Sequence, residues 1–274
     1  MALWEANRLG ELIFIGLGLN GIKSISLEGL EIIKSADEVF IELYTSIMPD
    51  FSLKELKSVV GKEVKVLSRR DLEDLSGKAV LDEAKKGKRV ALLTPGDPLI
   101  ATTHISLRLL AEKAGVTTKV IHSSSIISAA ISASGLHCYK FGRIVTITSG
   151  SETPYDVLRD NMRRGLHTLF LLDMDVERGY FMSVSEALNS LLEIENKRKE
   201  NVISPSTLAL VLSRVGSSTS CLKCDVILNL MKLDFGSPPH AIIIPGRLHF
   251  MEAEALITLA DAPKKLVENL VSRS

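Results

Sequence analysis

Cysteine is scarce in this chain of 274 residues: Cys138, Cys221 and Cys224 are all it has. Three is too few, and odd in number, for a disulfide framework, which agrees with a reducing compartment. Net charge is lacking too. Lys plus Arg total 33 and Asp plus Glu 33, so no basic excess advertises direct binding to nucleic acid. No apolar run approaches the roughly 18 to 20 residues of a membrane helix, and MALWEANRLGELIF carries acids and no signal-peptide apolar region. The expectation is a cytoplasmic protein that engages no membrane.

Several chemical constellations are also missing. There is no H-x-x-x-H, no carboxylate cluster and no defensible Ser-His-Asp order, so no metal is expected and no catalytic base can be named. Cys221 and Cys224 do form a C-x-x-C, but no second pair completes a set of four zinc ligands. Their flanks, SSTSCLKCDVIL, read as an exposed loop entering an amphipathic segment, and the cysteines as incidental or mildly stabilising.

What is present is a hydrophobic content of 46%, enough to bury a large core. Runs rich in Val and Ile alternate with segments of helical period, the pattern of an α/β chain whose first sheet is mostly parallel. Strands are expected at LIFIGLG, EVFIELY, EVKVLS, RVALLT and TKVIHS, with helices between them that mostly end at a glycine. After GLHCYKFG the pattern restarts with RIVTITSG, HTLFLLDM, TLALVLSRVG and HAIIIPG. Two α/β domains follow, 1–138 and 139–274.

Within ELIFIGLGLNG, Gly16, Gly18 and Gly21 spell G-x-G-x-x-G after a strand. A dinucleotide loop needs a helix to open inside that motif, so that its N–H groups face a pyrophosphate. Here the apolar period Leu27, Leu30, Ile33 starts several residues later, with Ser24 or Ser26 as N-cap. Glu42, at the end of VFIE, stands where a ribose-binding acid could stand. A second loop, LTPGDPLIATTH, sets two prolines around Gly96-Asp97 at the carboxyl end of a strand, where open α/β sheets bind ligands. Asp97 either projects into that crevice or caps its own turn.

FIGLGLNGIKSISLEGLE, LTPGDPLIATTH, KVIHSSSIISA, GLHCYKFG, GLHTLFLLD and FGSPPHAIIIPG, taken in order, resemble the diphthine synthase family of the tetrapyrrole-methylase-like class. The likeness runs from about Ile13 to about Pro263. It implies two α/β domains with S-adenosylmethionine in the interdomain cleft, S-adenosylhomocysteine as product, and a homodimer. The implied reaction is trimethylation of the amino group of the modified histidine, aminocarboxypropyl-histidine, of translation elongation factor 2. The family's cofactor positions fall on Leu19, Asp97, Ile100, Ser125, Ile126, Leu172, Val215 and His240.

Methyl transfer from a sulfonium is an in-line displacement by a neutral amine, so positioning is most of the catalysis and a proton must leave before each turnover. His240 is read as a contact to the adenosine region, Ser125 and Ile126 as a clamp on the cofactor, and His122 as structural. Tyr44 either lines the acceptor pocket or is an ordinary strand-end aromatic. Met174, His104 and His167 are read as packing or loop residues. Arg143, Arg159, Arg163 and Arg164 are candidates for a docking face toward the substrate protein. The rival readings are a precorrin or other small-molecule methyltransferase of the same fold, an NAD-binding dehydrogenase, and a non-catalytic α/β interaction module.

Overall fold

A computed structural model of the chain describes residues 10–271; the stretch MALWEANRL, read above for targeting signals, lies outside them. The chain divides into two compact units, the first ending at Ile126 and the second beginning at Ile127. No helix among the described residues is long and apolar enough to cross a membrane.

The first unit runs β1 (Glu11–Gly16), α1 (Leu27–Ser35), β2 (Glu38–Glu42), α2 (Leu53–Val60), β3 (Lys65–Leu67), α3 (Arg69–Leu72), α4 (Lys78–Lys85), β4 (Arg89–Thr94), α5 (Ile105–Lys113) and β5 (Thr117–Ile121), and α6 (Ile126–Ser134) begins at its last residue. Its five strands lie in the order β3-β2-β4-β1-β5, each neighbouring pair parallel. Strand alternation explains why β1 and β4 read as unbroken apolar runs. Ile13, Ile15, Ala91 and Leu93 bury on one face, while Leu12, Phe14, Val90 and Leu92 bury on the other. Each such aliphatic or Phe side chain contributes about 1.5–3 kcal/mol by leaving water.

The helices start where small hydroxyls supply acceptors. Ser26 accepts from the Gly29 N–H at 3.0 Å and so, not Ser24, caps α1. Ser52 caps α2, and Ser68 with Asp71 closes a reciprocal capping box on α3. Gly61 ends α2 in the left-handed conformation.

The second unit continues with β6 (Val145–Ile147), α7 (Thr153–Arg163), β7 (Thr168–Leu172), a two-stranded ribbon of β8 (Met174–Asp175) and β9 (Tyr180–Phe181), α8 (Val184–Arg198), β10 (Leu208–Ser213), β11 (Cys221–Val226), α9 (Ile227–Leu230), β12 (His240–Ile244), α10 (Phe250–Ala260) and α11 (Lys264–Glu268). Its sheet has the order β11-β10-β12-β7-β6; only β6 and β7 pair parallel. Phe170, Leu172, Ala209, Val211, Ile242 and Ile244 share one buried cluster with Leu188 and Leu191 of α8.

One expectation is overturned here. CLKCDV is not a loop but β11, the edge strand paired antiparallel to β10 with Cys221 opposite Ser213 and Cys224 opposite Leu210. Its alternation is muted because an edge strand covered by α10 on part of one face buries only Cys224 fully. Cys221 is exposed.

Candidate active site

At the carboxyl edge of the first sheet three loops meet, two of them fastened together by backbone. Gly18 and Gly96 form an antiparallel bridge between the loop after β1 and the loop after β4. The Leu17 N–H also donates to the Thr94 carbonyl at 2.9 Å. Gly16 must be glycine for packing: a Cβ there would lie 2.5 Å from the Gly96 carbonyl oxygen and 2.7 Å from Ser123 Cβ, in the loop after β5. Gly18, at φ 74, sits in the left-handed region. The glycines therefore serve a three-loop junction. Only a short 3-10 turn, Ile22–Ser24, follows Gly21 before Ser26 opens α1.

Asp97 locks the same junction. One carboxylate oxygen accepts from the Leu99 N–H at 3.1 Å; the other accepts from the Ser123 N–H at 3.2 Å and lies 2.8 Å from His122 Nδ1. Asp97 is 5% exposed, so its carboxylate faces the loops that it joins. His122, by contrast, is largely exposed. Leu19 is half-buried on the glycine loop, Ile100 is exposed after the Asp97 turn, and Ser125 is buried immediately before Ile126 at the start of α6. Beside Leu19, the buried Oδ1 of Asn20 has no hydrogen-bond partner, although Asn20 N–H and carbonyl are both tied to Ser24 Oγ.

A polar cluster lies beneath the next strand ends. Glu42, at the end of β2, is completely buried. One of its oxygens accepts the N–H groups of Tyr44 and Thr45, each at 3.1 Å, and the other accepts the Thr45 hydroxyl at 2.6 Å. It is thus sealed in its own turn and not presented as a ribose acid, which removes the one acidic residue that the dehydrogenase reading could use. Burial pushes its carboxyl up to about 7, against the hydrogen bonds from Thr45 and Tyr44 and the charge of Arg69. Tyr44 is buried, with the Arg69 guanidinium 5.2 Å from its ring centre.

His104, which precedes α5, is buried beside this carboxylate. Its Nδ1 lies 3.1 Å from the Pro98 carbonyl and so carries the hydrogen; Nε2 is then the unprotonated nitrogen, 4.0 Å from Glu42 Oε1 and without a hydrogen-bond partner. Burial holds its pKa below the ordinary value, opposed by the Pro98 carbonyl and by Glu73.

In the second unit, Leu172 ends β7, His240 opens β12 and Val215 follows the end of β10. Ser213 and His240 are paired residues of β10 and β12. Ser213 Oγ and His240 Nε2 are both buried without a hydrogen-bond partner. Burial lowers the His240 pKa, opposed by the Phe235 carbonyl and reinforced by Arg214. The Arg214 guanidinium binds the Phe235 and Ser237 carbonyls at 2.7 and 2.5 Å and Thr219 at 3.1 Å, joining the loops on either side of this strand edge. Asn20 and Ser213 were not singled out from the sequence. Ser213 ends an apolar strand and Asn20 sits among glycines, so only a missing partner marks them.

Other polar clusters are satisfied. Buried Glu252 accepts from the His249 N–H at 2.7 Å, the His137 N–H at 2.8 Å and His167 Nε2 at 3.0 Å, and is ion-paired with Lys140. His167 in turn accepts the Gly246 N–H on Nδ1 at 3.0 Å, so it is a packed structural residue. Arg159 is committed to Asp156, Asp160 and Glu200, while Arg143, Arg163 and Arg164 are exposed. Among the described residues, no group of three or more His, Cys, Asp and Glu side chains has a metal-holding arrangement.

The family described as Tetrapyrrole (Corrin/Porphyrin) Methylases matches residues 11–217. The chain is 44% identical over 269 residues to the diphthine synthase of Methanosarcina mazei, covering 94% of this chain and 99% of that protein. It is 42% identical over 265 residues to the diphthine synthase of Methanothermobacter thermautotrophicus, covering 95% and 99%. A crystal structure of a diphthine synthase superposes with a TM-score of 0.86 at 40% identity, covering 96% of this chain and all of that one.

Proposed function

Because the chain belongs to the tetrapyrrole methylases, and within them to the diphthine synthases, we propose that it trimethylates the amino group of the aminocarboxypropyl-histidine of translation elongation factor 2, using S-adenosylmethionine. The product is diphthine, the intermediate of diphthamide biosynthesis. The setting is cytoplasmic, and the enzyme works as a homodimer.

The cofactor positions carried by the resemblance are Leu19, Asp97, Ile100, Ser125 and Ile126 in the first unit and Leu172, Val215 and His240 in the second. One observation supports them: Asn20 Oδ1, Ser213 Oγ and His240 Nε2 are buried polar atoms without partners, and each lies at or beside a carried-over position. A buried polar group left unpaired costs about 1–3 kcal/mol, a cost that a ligand's amine, amide or hydroxyl groups remove. S-adenosylmethionine, when bound, supplies an electrophilic methyl on a cationic sulfur.

The chain's own contribution is placement. The Gly18 and Gly96 bridge fixes the two loops that meet under the cofactor positions, and Asp97 holds the third loop to them. In the first unit, Leu19 and Ile126 are partly exposed and offer apolar surface beside the junction. Such positioning accounts for most of the acceleration that an in-line displacement needs.

Two measurements test this. Calorimetry with S-adenosylhomocysteine and with NAD should show binding of the first and none of the second. Mass spectrometry of elongation factor 2 bearing the aminocarboxypropyl-histidine should show a gain of three methyl masses. Tight NAD binding without a response to the thioether sinks the methyltransferase reading; methylation of a corrinoid with none of the protein substrate moves the acceptor to a small molecule.

A further inference from the structure

We propose that the Thr45 hydroxyl, backed by the Glu42 carboxylate and by His104, is the route by which the acceptor amine loses its proton before each methyl transfer. This inference rests on the methyltransferase reading above. It starts from a geometric peculiarity of the first unit. A fully buried carboxylate has one outward connection, a hydrogen bond of 2.6 Å from the hydroxyl of half-buried Thr45 to Oε1.

On its inner side the same Oε1 faces His104 Nε2, a buried lone pair with no hydrogen-bond partner, at 4.0 Å. His104 cannot drift, because its Nδ1–H is held by the Pro98 carbonyl in the turn that carries Asp97. An unpaired ring nitrogen aimed at a buried carboxylate is costly as structure alone. It is less costly when the carboxyl is protonated, since the buried charge is then gone and an O–H stands on the side of that lone pair, although at 4.0 Å the two make no hydrogen bond until one of them shifts. Arg69 and Glu73 are the other charged groups acting on this cluster, and the Arg69 guanidinium lies over the Tyr44 ring. A burial-raised carboxyl near neutrality is matched to accepting and releasing protons at working pH.

The proton balance is simple. An N–H bond of the substrate ammonium breaks, and its electron pair stays on nitrogen to attack the methyl carbon. The proton forms an O–H bond with Thr45 Oγ1 while the original hydroxyl proton passes to Glu42 Oε1. Before the next turnover the relay runs in reverse, Glu42 Oε1 returning its proton to Thr45 Oγ1 as the Thr45 hydroxyl proton passes to water, once for each of the three methyl groups. Thr45 touches the amine; Glu42 and His104 act through it and position it.

The test compares Thr45→Val, Thr45→Ser and Glu42→Gln in the full chain. Single-turnover methylation of modified elongation factor 2 is followed across pH 5.5 to 9, alongside S-adenosylhomocysteine calorimetry and thermal melting. The expected result is a rate for T45V and E42Q about 10²-fold below that of the unsubstituted chain at neutral pH. The rise of rate through neutrality should be lost in both and restored in T45S, with thioether affinity within a factor of two throughout. E42Q keeps a carbonyl oxygen for Thr45 and Tyr44, and T45V serves as the independent arm if E42Q melts early. Unchanged rates in T45V and E42Q overturn the inference, as does a loss of rate that leaves the pH profile parallel to the original. Failure of the unsubstituted chain to bind the thioether overturns the methyltransferase reading itself, and this inference with it.

Discussion

Gly18 and Gly96 exchange a pair of backbone hydrogen bonds, the Gly18 N–H donating to the Gly96 carbonyl at 3.2 Å and the Gly96 N–H to the Gly18 carbonyl at 2.8 Å. The bridge turns two separate sequence signals, the glycine loop and the Gly-Asp turn, into one rigid floor. Gly16 sits directly beneath it, where the Gly96 carbonyl and Ser123 leave no room for a methyl group.

Gly16→Ala and Gly96→Ala should therefore differ in kind. A Cβ at Gly96 meets nothing closer than the Ser124 carbonyl oxygen at 3.9 Å, so its cost is the left-handed backbone, about 1–2 kcal/mol. A Cβ at Gly16 must push the Gly96 carbonyl and the Ser123 loop away. Thermal melting with S-adenosylhomocysteine calorimetry should show G96A folded and binding within a few-fold of the original, and G16A weakened in binding by at least tenfold. Equal affinities would mean that the junction does not shape the cofactor site.

Glu42 makes stability depend on pH. Its carboxyl titrates at about 7 in the folded chain against roughly 4.3 when unfolded. The stability it contributes is therefore fully present below the unfolded value and is lost as pH rises through 7. Glu42→Gln removes that titration. Between pH 4 and pH 8 the denaturation midpoint of E42Q should rise relative to the original by the equivalent of about 3 kcal/mol. A constant difference across that range would show that Glu42 does not carry a raised pKa.

Most of the first unit was legible because a parallel sheet covered on both faces writes long apolar runs, and β1, β2, β4 and β5 fall on the runs that the sequence shows. The late start of α1 was legible for a similar local reason, the Ser26 cap followed by the Leu27, Leu30, Ile33 period. Illegible features depend on distant partners. Glu42 looks like a ribose acid until the turn formed by Tyr44 and Thr45 closes over it, and the task of Asp97 in joining loops shows only when the Leu99 and Ser123 N–H groups reach its oxygens. β11 was hidden because its period is broken by polar residues on an edge, with β10 supplying the pairing that defines it.

That misreading of β11 has its own chemical consequence. In a strand, residues three apart point to opposite faces, so Cys221 and Cys224 cannot close a disulfide without breaking the pairing with β10. Cys224 is buried, and burial pushes its thiol up to about 12, while Cys138 and Cys221 are exposed. Maleimide labelling of the native chain followed by peptide mass analysis should modify Cys138 and Cys221 and spare Cys224, with all three labelled in denaturant. Equal native labelling of Cys221 and Cys224 would return this segment to a loop.

Ser213 offers a way to separate what a residue does for the fold from what it does for a ligand. Its hydroxyl is buried at the end of β10, opposite His240, and satisfies nothing in the chain. Removing an unpaired buried hydroxyl relieves a desolvation cost, so Ser213→Ala should leave the free protein as stable as before or more so, by up to about 1 kcal/mol. If the hydroxyl is kept for the cofactor, the same substitution should weaken S-adenosylhomocysteine by roughly three- to tenfold, since a ligand hydrogen bond contributes about 0.5–1.5 kcal/mol net. Opposite signs on the two measurements identify a residue held in an unfavourable state for binding. A gain in melting temperature with unchanged affinity would instead place Ser213 outside the site, and His240→Asn, which moves the neighbouring unpaired nitrogen, would then decide whether any part of this strand edge touches the cofactor.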